Sequence, residues 1–158
     1  MLAILSPIVV SLAISVTAST AVAGFQLGEV VRILDGDTVA VVTPEKVEVR
    51  CRLYGIDAPE KAQAFGQLSR QNLAALTFRK TVQMQISGID PYGRSICRLF
   101  VDGVDVNREQ VAKGMAWVYR HYTSDPTLIQ AEAAAKAARL GLWQDANPVP
   151  PWDFRHNQ

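Results

Sequence analysis

From Val47 to Leu53 apolar and polar residues alternate with a period of two, and the pattern is then broken by Gly55 and stiffened by Pro59. That period predicts a half-buried strand with Val47, Val49, Cys51 and Leu53 facing a core and Arg50 and Arg52 facing away. A strand that ends in a glycine and a proline turn delivers its side chains to fixed places. Here the turn carries Asp57 and Glu60, so a cation and two carboxylates meet within the stretch Arg52–Glu60. Taken alone, such a triplet also reads as a solvated ion cluster at a loop edge.

Two other places supply matching chemistry. Val30 to Val39 reads as strand, Asp35-Gly36 turn, strand, and Asp90-Pro91-Tyr92-Gly93-Arg94 is a turn feeding another strand. Around them, a meander from Gln26 to Tyr54 leads to a helix over 62–78, with Phe65, Leu68, Leu73 and Leu76 on one side and Asn72 as the polar exception in that stripe. Strands are predicted over 81–86 and 95–101, and a short helix over 106–113 ended by Gly114. A further helix opens at Ser124, Asp125 and Pro126, carries Glu132 and Lys136 one turn apart, and closes at Gly141. Five strands capped by about three helices make an α+β, mainly β protein with the content of an OB-fold barrel. The tail from Asn147 to Trp152 is too proline-rich for a helix or central strand, so it is expected to lie across the surface with Trp152 as its anchor.

A chain of 158 residues, 49% hydrophobic and 20% charged, suits one domain with a buried core. Its net charge of +1 excludes the broad basic field that draws many proteins to nucleic acids, so any grip on phosphate must be local. Residues 1–23 hold no charged side chain and end in Ala21-Val22-Ala23. They predict a signal peptide cut before Gly24, leaving a domain over 24–158 that works outside the cytoplasm, in the periplasm or secreted. An uncleaved membrane anchor is the alternative, because no Lys or Arg stands near the start; Pro7 and the Ser and Thr content argue against it.

Asp35-Gly36-Asp37-Thr38, the run Arg52-Leu53-Tyr54-Gly55-Ile56-Asp57-Ala58-Pro59-Glu60, then Tyr92-Gly93-Arg94 and Gly141-Leu142-Trp143 stand in an order and spacing that resemble the thermonuclease (staphylococcal nuclease-like) family of calcium-dependent phosphodiesterases. The resemblance spans about residues 26 to 155 and implies the same OB-fold barrel. It implies Ca2+ held by Asp37, Asp57 and the main-chain carbonyl of Ala58, a position often Thr in the family. Calcium accepts such hard oxygen donors together with several waters. Asp35 fits a turn or supporting role.

By the same resemblance Arg52 and Arg94 grip the phosphate, which guanidinium forks match bidentately, and Glu60 orients or deprotonates the attacking water. For the arginines, rim salt bridges to Glu48 or Asp90 are the alternative; for Glu60, a favourable charge at the start of the following helix. Tyr92, Trp117 and Tyr119 are expected to line the nucleotide-binding cleft, stacking a base or donating a hydroxyl, although aromatics in a small barrel also serve as core. Pro91 departs from relatives with a lysine there, which weakens the case for gripping a terminal phosphate.

Cys51 and Cys97 are the only cysteines, and an even count in an exported chain permits a disulfide; two buried thiols are the alternative. His121 and His156 have no partner at ligand spacing, so no zinc site is expected. Two functions follow. One is a sequence-nonspecific endonuclease hydrolysing DNA and RNA to 3′-phosphate ends, a monomer with no stable protein partner. The other is a catalytically silent barrel that binds nucleic acid or protein. Silent copies generally lose the metal carboxylates or the arginines, whereas Asp37, Arg52, Asp57, Glu60 and Arg94 are all present.

Overall fold

The alternation before Gly55 does form a strand, and a barrel is built around it. In the computed structural model, which describes residues 24–157, the strands are β1 (Gln26–Ile33), β2 (Thr38–Val42), β3 (Glu48–Leu53), β4 (Ile56–Asp57), β5 (Thr81–Ile89), β6 (Ser95–Val101), β7 (Val104–Asp105) and β8 (Trp117–Val118). The helices are α1 (Gly66–Thr77), α2 (Val106–Ala112), α3 (Pro126–Ala137) and α4 (Pro151–His156), with a 3-10 turn at Gly141–Gln144. The segment 1–23, with its predicted export signal, and Gln158 lie outside the described residues. Among the described residues no helix is long and apolar enough to cross a membrane.

The strand order β3-β2-β1-β5-β6 returns on itself, because β6 also pairs with β3, in parallel, with Arg52 opposite Ile96. Five strands therefore close into the expected α+β barrel, and closure removes the exposed edges an open sheet would leave. Val30, Val39, Cys51, Leu53, Met84 and Leu99 fill its interior with almost no exposure. Register slips at Val30/Arg32 and Ile86/Gly88 give the curvature closure needs.

Val47 departs from its expected place. The chain turns there, with the Thr43 N–H bonded to the Val47 carbonyl at 2.9 Å, so β3 begins at Glu48 and Val47 is 55% exposed. Helix α1 starts at Gly66, four residues later than its apolar period suggests. A Cβ on Gly66 would overlap the Glu60 carbonyl, and Phe65 before it takes a left-handed φ of 66°. Setting the helix from Gly66 buries Gly66, Ser69, Leu73 and Thr77, leaving Leu68 exposed and Ala74 half-buried against the core. Small residues on that stripe let α1 approach closely, which a leucine stripe could not.

Asn72 donates to Gln110 Oε1 of α2, and Gln110 Nε2 in turn donates to the Gly36 carbonyl at 2.6 Å. Gly36 itself has no room for a Cβ, which would overlap Ser69 Oγ. The Asp35–Asp37 turn is thus clamped on two helices. Helix α3 begins as expected, with Asp125 accepting the Thr127 N–H at 2.8 Å, but ends at Ala137; Arg139 turns left-handed at φ 52° and Gly141 opens the 3-10 turn instead of closing the helix. The largest departure is α4. Pro151 stands at its first turn, where a missing N–H costs nothing, so the proline-rich tail leads into a helix rather than excluding one.

Candidate active site

Strand β2 begins directly after the clamped turn, which puts Asp37 at the barrel mouth with 6% exposure. Its Oδ2 accepts the Ala58 N–H at 2.7 Å and its Oδ1 accepts the Thr38 hydroxyl at 3.0 Å. Asp57, 2% exposed, sits on β4, whose ladder partner β8 sets it opposite Trp117. One terminal nitrogen of Arg52 lies 3.2 Å from both Asp37 Oδ2 and Asp57 Oδ1. The expected acid pair and one of the two arginines therefore converge.

Arg52 does more than its assigned role. Its other terminal nitrogen donates to the carbonyls of Leu53 and Ile56, both at 2.8 Å, and so holds the turn that carries Asp57. The alternative partner Glu48 is taken by Arg32. Arg94 directly precedes Ser95, the register partner of Cys51, and so stands beside the same β3–β6 seam. Its guanidinium is turned to Asp90 at 2.6 Å, the rim pairing foreseen as the alternative, and it makes no ion pair with Asp37, Asp57 or Glu60 among the described residues. Tyr92, 83% exposed at the tip of that turn, has the Arg94 guanidinium 5.5 Å from its ring centre.

Trp117 stands opposite Asp57 on β8, and Tyr119, just past that strand, bonds through its N–H to the Gly55 carbonyl at 2.9 Å. Both are half-buried, and Trp117 meets Trp143 edge-on at 4.4 Å between ring centres. Cys51 and Cys97 set their sulfurs against each other inside the barrel with Cα atoms 5.6 Å apart, a separation that suits a disulfide.

Sequence reasoning missed Arg155. From α4 its guanidinium reaches Asp57 Oδ2 at 2.8 Å and Glu60 Oε1 at 2.7 Å. Its signal was the spacing of Trp152 and Arg155, one helical turn apart, hidden once the tail was read as non-helical.

The acids are under strain from one another. Burial pushes Asp57 above the usual carboxylate range and the charge of Asp37 adds to the rise, against the opposing pull of Arg155 and Arg52. Burial likewise raises Asp35 to about 7, with Asp37 beside it. Burial disfavours charge on these hard oxygens, and a divalent cation beside them would restore it. Among the described residues no cluster of three or more His, Cys, Asp or Glu could enclose a metal ion. The donors fit a cation that completes its shell with water.

The sequence pattern of the staphylococcal nuclease homologue family matches residues 50–145. The chain is 45% identical over 132 residues to an uncharacterized endonuclease of Escherichia coli O157:H7, covering 83% of this chain and 86% of that protein. It is 43% identical over 139 residues to a micrococcal nuclease of Shigella flexneri, covering 81% and 79%. It is 36% identical over 109 residues to a probable staphylococcal-like nuclease of Oryza sativa subsp. japonica, covering 69% of this chain and 33% of that longer protein. With a closed barrel carrying Asp37, Arg52 and Asp57 at one mouth, and with these relatives, the chain belongs to the staphylococcal nuclease homologue family.

Proposed function

We propose that this protein is an exported, calcium-dependent endonuclease that hydrolyses DNA and RNA without sequence preference and leaves 3′-phosphate ends. The observation that carries the reading is the meeting of two buried acids from separate turns at a single Arg52 nitrogen. Asp37, Asp57 and the Ala58 carbonyl would hold the cation. When bound, it supplies positive charge to the phosphate and lowers the barrier to forming the water nucleophile.

The chain's own residues do the rest. Arg52 and Arg94 bind non-bridging phosphate oxygens and stabilise the charge that collects there, an effect worth about 3 kcal/mol for one well-placed donor. Arg94 sits on an exposed turn with a single carboxylate partner, so it can swing from Asp90 to substrate at small cost. Glu60 orients the attacking water and takes its proton. Tyr92, Trp117 and Tyr119 offer ring faces and hydroxyls to the nucleotides on either side. The Cys51–Cys97 pair forms a disulfide once the protein is outside the cytoplasm.

The test is incubation of the purified domain with plasmid and single-stranded DNA, in calcium or in chelator. Cleavage in calcium alone, with 3′-phosphate products, is the expected result. Equal rates in both would overturn the cation dependence, and no cleavage in either would favour a silent binding barrel.

A further inference from the structure

Helix α4 brings two side chains to the site at once. Arg155 covers Asp57 and Glu60, with one nitrogen 2.8 Å from Asp57 Oδ2 and the other 2.7 Å from Glu60 Oε1 and 3.3 Å from Asp57 Oδ1. One turn earlier, Trp152 lies flat on Tyr119, with ring centres 5.1 Å apart and planes 6° apart, and meets Trp117 edge-on at 5.7 Å. Asp57 and Trp117 are opposite each other on β4 and β8, so both contacts fall on one small area. The family match ends at residue 145, before α4 begins.

Each contact imitates something the proposed reaction needs. A guanidinium on Asp57 Oδ2 answers the same charge as a divalent cation, so the two compete for that carboxylate. Arg155 also holds one of the two Glu60 oxygens, which is then not free to orient water. An indole stacked parallel on a tyrosine occupies the face on which a nucleobase would stack. We propose that α4 is an intramolecular occupant of the active site, Arg155 standing in for the cation and Trp152 for a base, and that cation and nucleic acid enter by displacing it. The inference rests on the reading of the site as a cation-dependent nuclease.

Displacement is within reach of ordinary ligand concentrations. Arg155 is 43% exposed, so its ion pairs are partly screened, and α4 has six residues, too few to persist as a helix without its docking contacts. A charge-assisted contact of this kind shifts a competing equilibrium by roughly tenfold.

The experiment compares the wild-type chain with Arg155→Gln and Trp152→Ala by calcium titration calorimetry without nucleic acid, alongside chymotrypsin digestion followed by mass. We expect Arg155→Gln to bind calcium roughly tenfold more tightly, with Trp152→Ala shifted the same way by less. Cleavage after Phe154 should be slow in wild type without calcium, faster with it, and fast in Arg155→Gln under both conditions. Unchanged or weaker calcium binding in Arg155→Gln, with its thermal unfolding intact, would overturn the proposal and show that Arg155 instead braces the acids. If wild type and Arg155→Gln both bind no calcium, the cation reading of the site fails and takes the inference with it.

Discussion

Asp37 accepts the main-chain N–H of Ala58 at 2.7 Å, so the two turns bearing the acids are tied together by one of those acids. Removing the side chain and removing its charge should therefore differ. Asp37→Ala leaves a buried N–H and part of Arg52 unpaired, and is expected to cost about 1–3 kcal/mol of stability as well as cleavage. Asp37→Asn keeps an oxygen for the N–H, and should lose cleavage by about 100-fold or more with a smaller loss of stability. Denaturant unfolding of the pair decides it, since matching losses would exclude the tie.

Arg94→Ala should separate catalysis from folding. Its one ion pair, with Asp90, lies at a partly exposed turn, so stability should move by about 0.5 kcal/mol or less. Cleavage should fall by about 100-fold if the guanidinium meets the phosphate in the transition state. A variant that cleaves at the wild-type rate would remove Arg94 from the site.

Arg52→Lys should behave differently despite keeping the charge. Lysine cannot reach the Leu53 and Ile56 carbonyls and both acids together, as the guanidinium does. The expected result is a loss of about 1–3 kcal/mol in unfolding free energy together with lost cleavage. Wild-type stability would mean the turn holds Asp57 without that fork.

Cys51 and Cys97, at a sequence separation of 46, close a loop across the β3–β6 seam. In oxidising buffer, Cys51→Ala with Cys97→Ala should lower stability by about 2–4 kcal/mol relative to wild type. With reductant present throughout, the difference should shrink to that of trimming two buried side chains. A mass of the oxidised protein two hydrogens above the expected bridged value would refute the link directly.

Asp125 caps α3 and pairs with Arg98, and these contacts, led by the Thr127 hydroxyl, depress its carboxyl to about 2. A depressed carboxyl stabilises the fold above its unfolded value near 3.8 and loses that contribution as pH falls through about 2. Asp125→Ala should thus cost about 1–2 kcal/mol near neutral pH, with the gap to wild type closing between pH 4 and pH 2. Thermal melts over that range check the sign, and a gap that widens in acid would contradict it.

Much of the barrel could be read before any coordinates because its strands obey a period of two and its turns carry Asp-Gly and Pro-Glu. The acid pair was legible for the same reason, since Asp37 and Asp57 each sit just past a strand break. Leu68 was misread because period alone cannot say which residue starts a helix, and the Gly66 contact with Glu60 decided that. Arg155 escaped because its importance depends on a docking partner 98 positions earlier, which no local pattern encodes. The second duty of Arg52, gripping Leu53 and Ile56, escaped because main-chain carbonyls leave no mark in a sequence.

Asp57 rides on a strand of two residues whose ladder partner, Trp117–Val118, is made 60 positions later. Loop closure over that span is slow compared with the β1–β2, β2–β3 and β5–β6 hairpins of the barrel. A growing chain therefore carries both acids before the strand that seats Asp57 has been made.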